Sequence, residues 1–111
     1  MNKLLISRFP FLDSSEPLRN RAPKVDENGQ AVTDFMMIFP GLRKKPSIQV
    51  NQALRDVQMV LSRYTDVVVF AEMNVRLNLL WVSMKPVSGK RFEIAEALRS
   101  FIPEARLVCH V

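Results

Sequence analysis

A thiol and an imidazole, Cys109 and His110, are neighbours in this sequence, and each is the single residue of its kind among 111. A thiolate-imidazole pair or a shared metal ion requires both groups on one side of the backbone. Ala105 to Val111, ARLVCHV, reads as a strand, in which adjacent side chains point to opposite faces, so the pair is split. Cys109 then joins Leu107 and Val111 on an apolar face, the usual place for a small unpaired cysteine. Among the carboxylates, Glu93 and Glu96 lie three apart on a helix-like stretch, a spacing common on solvated helix faces. No catalytic residue, metal site or cofactor is expected. The remaining enzymatic reading is a cofactor-free enzyme built from dispersed residues around a cavity.

Positive charge is the stronger chemical signal. Sixteen Lys and Arg against eleven Asp and Glu give a net charge of +5, enough to attract polyanions without naming one. Two clusters carry much of it. Gly41-Leu42-Arg43-Lys44-Lys45-Pro46-Ser47 and Lys85-Pro86-Val87-Ser88-Gly89-Lys90-Arg91 each follow an expected strand and open an expected helix. Free backbone N–H groups at helix starts favour anions, and nearby cations add Coulomb attraction. The candidate anion-binding residues are therefore Arg43, Lys44, Lys45, Ser47, Lys85, Ser88, Gly89, Lys90 and Arg91. Ser88-Gly89-Lys90 lacks the Gly-x-x-x-x-Gly-Lys-Ser/Thr spacing of a nucleotide-hydrolysing loop. The competing reading is a pair of solvated loops whose lysines maintain solubility.

The elements that must position these groups follow from periodicity. Ala31 to Phe39, AVTDFMMIF, reads as a strand stopped by Pro40-Gly41. Ser47 can cap a helix in which Val50, Ala53, Leu54, Val57, Val60, Leu61 and Tyr64 recur at spacings of three and four. Asp66 to Lys85, DVVVFAEMNVRLNLLWVSMK, is the longest apolar run, and its charged residues argue against a membrane helix. Its β-branched and aromatic residues favour two strands reversing near Met73-Asn74-Val75-Arg76. A second helix, capped by Ser88 or Gly89, shows Phe92, Ala95, Leu98 and Phe101 or Ile102 as its stripe, and Pro103 ends it.

The order strand, helix, strand, strand, helix, strand is duplicated. Gln52-Ala53-Leu54-Arg55 and Glu96-Ala97-Leu98-Arg99 occupy equivalent places in the two helices. This pattern resembles the ferredoxin-like βαββαβ plait, an α+β fold with two helices on one face of a four-stranded antiparallel sheet. The likeness is one of architecture and implies no particular activity. With the first and third strands taken as neighbours running the same way, the two basic loops are expected to emerge side by side.

Helices cover one face of such a sheet, so the other face matters for function. A two-residue turn at Asn74-Val75 puts Val67, Val69 and Ala71 with Leu80, Val82 and Met84, and Val68, Phe70 and Glu72 with Leu77, Leu79 and Trp81. Both sides come out apolar, whereas a strand with one solvated face should alternate. A large apolar patch marks an interface. The candidate interface residues are Val68, Phe70, Leu77, Leu79 and Trp81, with Phe9 and Phe11 from the segment before the domain. A homo-oligomer, most simply a dimer, is the expected partner arrangement.

Residues 1–30 read as an extended arm, with a short strand over Lys3 to Ile6, an apolar cluster at Phe9, Phe11 and Leu12, and a turn signal at Glu27-Asn28-Gly29. Residues 31–111 form the compact domain, large enough for one core without staples. The arm's apolar cluster reads as a latch for this chain's own sheet or a sister subunit, with docking onto another protein as the alternative. Lys3 followed by Leu4-Leu5-Ile6 is too short for a secretory signal. Together with one cysteine, that points to the cytoplasm.

The expected function is a non-enzymatic oligomerising interaction domain that binds an anionic ligand or partner at its basic edge. The alternatives are an RNA- or DNA-binding protein, with Trp81, Phe70 and Phe35 or Phe39 as a stacking platform, and a small-ligand sensor or cofactor-free enzyme with a cavity at a dimer sheet interface. The strand Asn78-Leu79-Leu80-Trp81-Val82 lacks the glycine and aromatics of RNA-recognition sheets, which argues against the platform.

Overall fold

The computed structural model of this protein describes Val25 and residues 28–108. Phe9, Phe11, the Lys3 to Ile6 strand and the Cys109-His110 pair lie outside the described residues, as do the remainder of residues 1–24 and the last residues of the expected final strand.

Apolar periodicity survives into the elements with small changes of boundary. The order is β1 (Thr33–Ile38), α1 (Ser47–Leu61), β2 (Val68–Asn74), β3 (Leu79–Met84), α2 (Lys90–Phe101) and β4 (Arg106–Val108). Short 3-10 turns at Leu42–Lys44, Ser62–Tyr64 and Val75–Leu77 link them. The fold is α+β: a four-stranded sheet in the order β2-β3-β1-β4, antiparallel throughout, with two helices. Phe35 and Met37 of β1, Ala71 and Met73 of β2, and Leu80, Val82 and Met84 of β3 point to the helical side and form one hydrophobic core with both helices. No helix among the described residues is long and apolar enough to cross a membrane.

In α1 the stripe is where the spacing puts it. Ala53, Leu54, Val57, Val60 and Leu61 are buried, with Val50 and Tyr64 packed against them. Ser47 is the first helical residue and does not cap: Pro46 occupies that position, and no side chain accepts from the helix start.

The stripe of α2 differs from expectation. Ile94, Ala95, Leu98 and Ile102 are buried, whereas Phe92 is 62% exposed and Phe101 is also exposed. At roughly 100° per residue, positions 94, 95, 98 and 102 share one sector, and position 92 lies roughly 110° from its centre. Phe92 matches the spacing to Ala95 but not the sector of the whole set. Gly89 caps α2 in the left-handed region (φ 81), where a side chain would be strained.

The central hairpin turns in a way the residues did not disclose. Its connection is four residues, Val75 to Asn78, with Asn78 left-handed at φ 55. Opposed pairs are Met73 with Leu80, Glu72 with Trp81 and Ala71 with Val82. Lengthening the turn by two residues preserves side-chain parity, so Ala71 still shares a face with Leu80 and Val82, and Phe70 and Glu72 with Leu79 and Trp81. Leu77 leaves the strand for the turn. A register shift between Val68 and Phe70 moves Val68 opposite Met84 and into the core, a correction to its expected place in the interface.

Candidate functional site

Because direct antiparallel partners share a face, the register lays out the side of the sheet away from the helices in three rows. The first row is Phe70, Ser83 and Asp34. The second is Glu72, Trp81, Met36 and Val108, and the third is Asn74, Leu79, Ile38 and Arg106. Leu77 has left the strand for the turn that enters β3 and is 62% exposed.

Exposure changes systematically across these rows. Phe70 is 8% exposed, Ser83 2% and Glu72 2%. Trp81, Met36 and Val108 are half-buried, and Ile38 in the third row is 39% exposed. β2 is an edge strand, yet every residue from Val68 to Met73 is buried. The indole N–H of Trp81 is enclosed and has no hydrogen-bond partner among the described residues. Half of the outer face is thus closed in, and the half around Ile38 and Leu77 is open.

The RNA-platform arrangement of aromatics does not form. Phe35 and Phe39 are fully buried on the helical side, and among the described residues only Phe70 and Trp81 bring aromatic rings to the outer face of the strands. The missed members of this surface, Asp34, Met36, Ile38, Arg106 and Val108, carry one usable signal: Phe35 and Met37 alternate with Asp34. Met36 and Ile38 are themselves apolar and obscure it.

The two basic loops are not neighbours. β1 and β3 pair antiparallel, so the chain leaves them at opposite ends of the sheet. Phe39, at the exit of β1, donates its N–H to the carbonyl of Asn78, at the entrance of β3. Lys85, at the exit of β3, donates to the carbonyl of Val67, at the entrance of β2. The expectation of one shared edge fails because adjacent strands of this sheet run in opposite directions.

At the first end, the backbone N–H of Arg43 donates to Asn78 Oδ1 at 2.8 Å, and its guanidinium reaches the Arg76 carbonyl at 3.4 Å. Lys44 is exposed beside them. Lys45 Nζ lies 2.7 Å from Glu104, and this hydrogen bond is the first cause holding the Glu104 carboxyl below its ordinary range. A cavity of about 50 Å³ opens there between Phe39, Leu42, Gln49 and Ile102, too small for more than a water or two.

At the second end, Lys90 pairs with Glu93 at 3.3 Å and lies 5.8 Å from the Tyr64 ring centre. Arg91 donates to the Thr33 hydroxyl at 3.3 Å. The Tyr64 hydroxyl donates to Glu93 at 3.1 Å, and burial first, then that carboxylate, raises its pKa above the ordinary value. Ser88, Gly89, Arg91 and Phe92 line an open concavity of about 310 Å³. Of the nine candidate anion-binding residues, Arg43, Lys44, Lys45 and Ser47 therefore belong to one end, and Lys85, Ser88, Gly89, Lys90 and Arg91 to the other.

Among the described residues no group of three or more His, Cys, Asp or Glu is placed to hold a metal ion. No family model, curated protein or solved structure matches the chain. Its function is read from these surfaces alone.

Proposed function

We propose that this chain is a non-enzymatic interaction domain on a ferredoxin-like plait that self-associates through the open half of its outer sheet face. Support for the plait comes from the βαββαβ order with β1 and β3 at the sheet centre. The observation that carries self-association is Ile38, an aliphatic side chain 39% exposed at the end of the central strand β1 and flanked by half-buried Met36 and Leu79. Leu77 extends that strip at the turn. A second copy laid against it by a two-fold axis buries the same strip twice, the economical way for one patch to find a complement. The single cysteine suits a reducing compartment such as the cytoplasm. Contacts with an anionic ligand or partner are made by one basic cluster at a time.

Sedimentation at micromolar concentrations tests this reading. The unaltered chain is expected as a dimer, and the Ile38→Asp, Leu77→Asp double variant as a folded monomer, because both positions are exposed. A monomeric unaltered chain overturns the proposal, as does a double variant that remains dimeric.

A further inference from the structure

The concavity at the second end of the sheet lies where β1 and β3 meet the start of α2. Thr33 and Met84, opposed in the register, are on its strand side, and Ser88, Arg91 and Phe92 are on its loop and helix side, with Val87 between. Met84 is buried, whereas Val87 and Phe92 are exposed. We propose that this concavity binds a small organic monocarboxylate, its aromatic or branched apolar body against Val87 and Phe92 and its carboxylate on Arg91 and Ser88. The inference rests on the reading that the second basic cluster contacts an anion, and it names the class of that anion.

Charge decides between anions. Arg91 is the cation among the lining residues, and no Asp or Glu is among them. Lys90, beside it in sequence, is already paired with Glu93 at 3.3 Å. The Arg91 guanidinium is half-buried and donates to the Thr33 hydroxyl at 3.3 Å, and no carboxylate of the described residues pairs with it. A guanidinium carries several donors, so an edge remains for a two-pronged contact with a carboxylate. One positive charge matches one negative charge. A phosphate dianion would leave charge uncompensated against walls that are mostly apolar.

Size and apolarity call for more than an inorganic ion. The volume of about 310 Å³ is at the small end of the roughly 300–1,000 Å³ of small-molecule sites. Ile94, Ala95, Leu98 and Ile102 fill the inward sector of α2, so the Phe92 ring is left out of the core and can pack on a ligand. Exposed apolar groups gathered around a concavity mark a binding surface. The site lies at the opposite end of the sheet from Ile38 and Leu77, so it is independent of self-association.

The test titrates the whole chain with 3-phenylpropionate, its uncharged amide and inorganic phosphate, each followed by backbone chemical shifts. 3-Phenylpropionate is expected to saturate with a Kd below roughly 1 mM and to move the signals of Thr33, Met84 and residues 87–92. The amide is expected to bind about tenfold more weakly or worse, because it lacks the charge that Arg91 meets. Arg91→Gln should weaken the acid about tenfold and leave the amide unchanged, and Phe92→Ala should weaken both several-fold. Lack of saturable binding by 3-phenylpropionate, equal affinity of acid and amide, shifts centred elsewhere, or tighter binding of phosphate overturns the inference. Phosphate shifts at Ser88 to Arg91 without binding of 3-phenylpropionate overturn it while leaving the anion contact standing; silence towards both ions overturns both. Should either variant lose its native spectrum, the comparison of acid with amide on the unaltered chain decides.

Discussion

Asn78 ties the loop after β1 to the hairpin: its Oδ1 accepts the backbone N–H of Arg43 at 2.8 Å while its own backbone sits in the left-handed region at φ 55. One residue thus performs two tasks, closing the β2-β3 turn and anchoring the first basic cluster. Asn78→Ala should lose roughly 1–3 kcal/mol of stability, from left-handed strain and the lost hydrogen bond. Asn78→Gly relieves the strain and should lose less. Urea unfolding of the two variants checks the order; equal losses would assign the whole effect to the side chain.

The phase of α2 is testable by contrast. Ile94→Ala empties a fully buried position and should cost roughly 2–5 kcal/mol. Phe92→Ala, at an exposed position, should change stability by no more than about 0.5 kcal/mol. Leu54→Ala in α1 should resemble Ile94→Ala, because Leu54 lies in the same core.

Tyr64 is the chain's single tyrosine, so its ionisation can be followed by ultraviolet absorbance without overlap. Its midpoint should lie above that of a free tyrosine. Glu93→Gln should lower it by removing the carboxylate, leaving the effect of burial. Lys90→Met should raise it by removing a cation that favours the phenolate. Because the folded state holds this proton more tightly than the unfolded state, the associated stability is present below pH about 10 and is lost as pH rises through the folded pKa.

The two basic clusters should bind phosphate independently of each other. Neutralising Arg43, Lys44 and Lys45 should leave chemical-shift changes at Ser88 to Arg91 unaltered during a phosphate titration, because the loops lie at opposite ends of the sheet. Coupled losses at both ends would contradict the antiparallel pairing of β1 with β3. Binding should weaken with salt, since these cations are exposed or only half-buried.

Periodicity by itself determined the order of elements, the buried stripe of α1 and the apolar character of both sides of the hairpin. Those properties depend on residues a few positions apart, where 3.6-residue or two-residue geometry sets which side chains share a side. That Phe70, Leu79 and Trp81 share one side was legible for the same reason, since lengthening the turn from two residues to four kept their parity; which side faces away from the helices was not.

Only the tertiary structure decided the direction of pairing between β1 and β3, and with it the separation of Arg43, Lys44 and Lys45 from Lys90 and Arg91. No local pattern encodes which strands become neighbours across a helical crossover; that depends on how the whole core closes. The shift at Val68 and the exposure of Phe92 have the same origin. More apolar side chains are present than buried positions, so Val68 was turned into the core at the register shift while Phe92 was left at the surface once Ile94, Ala95, Leu98 and Ile102 filled the inward sector of α2.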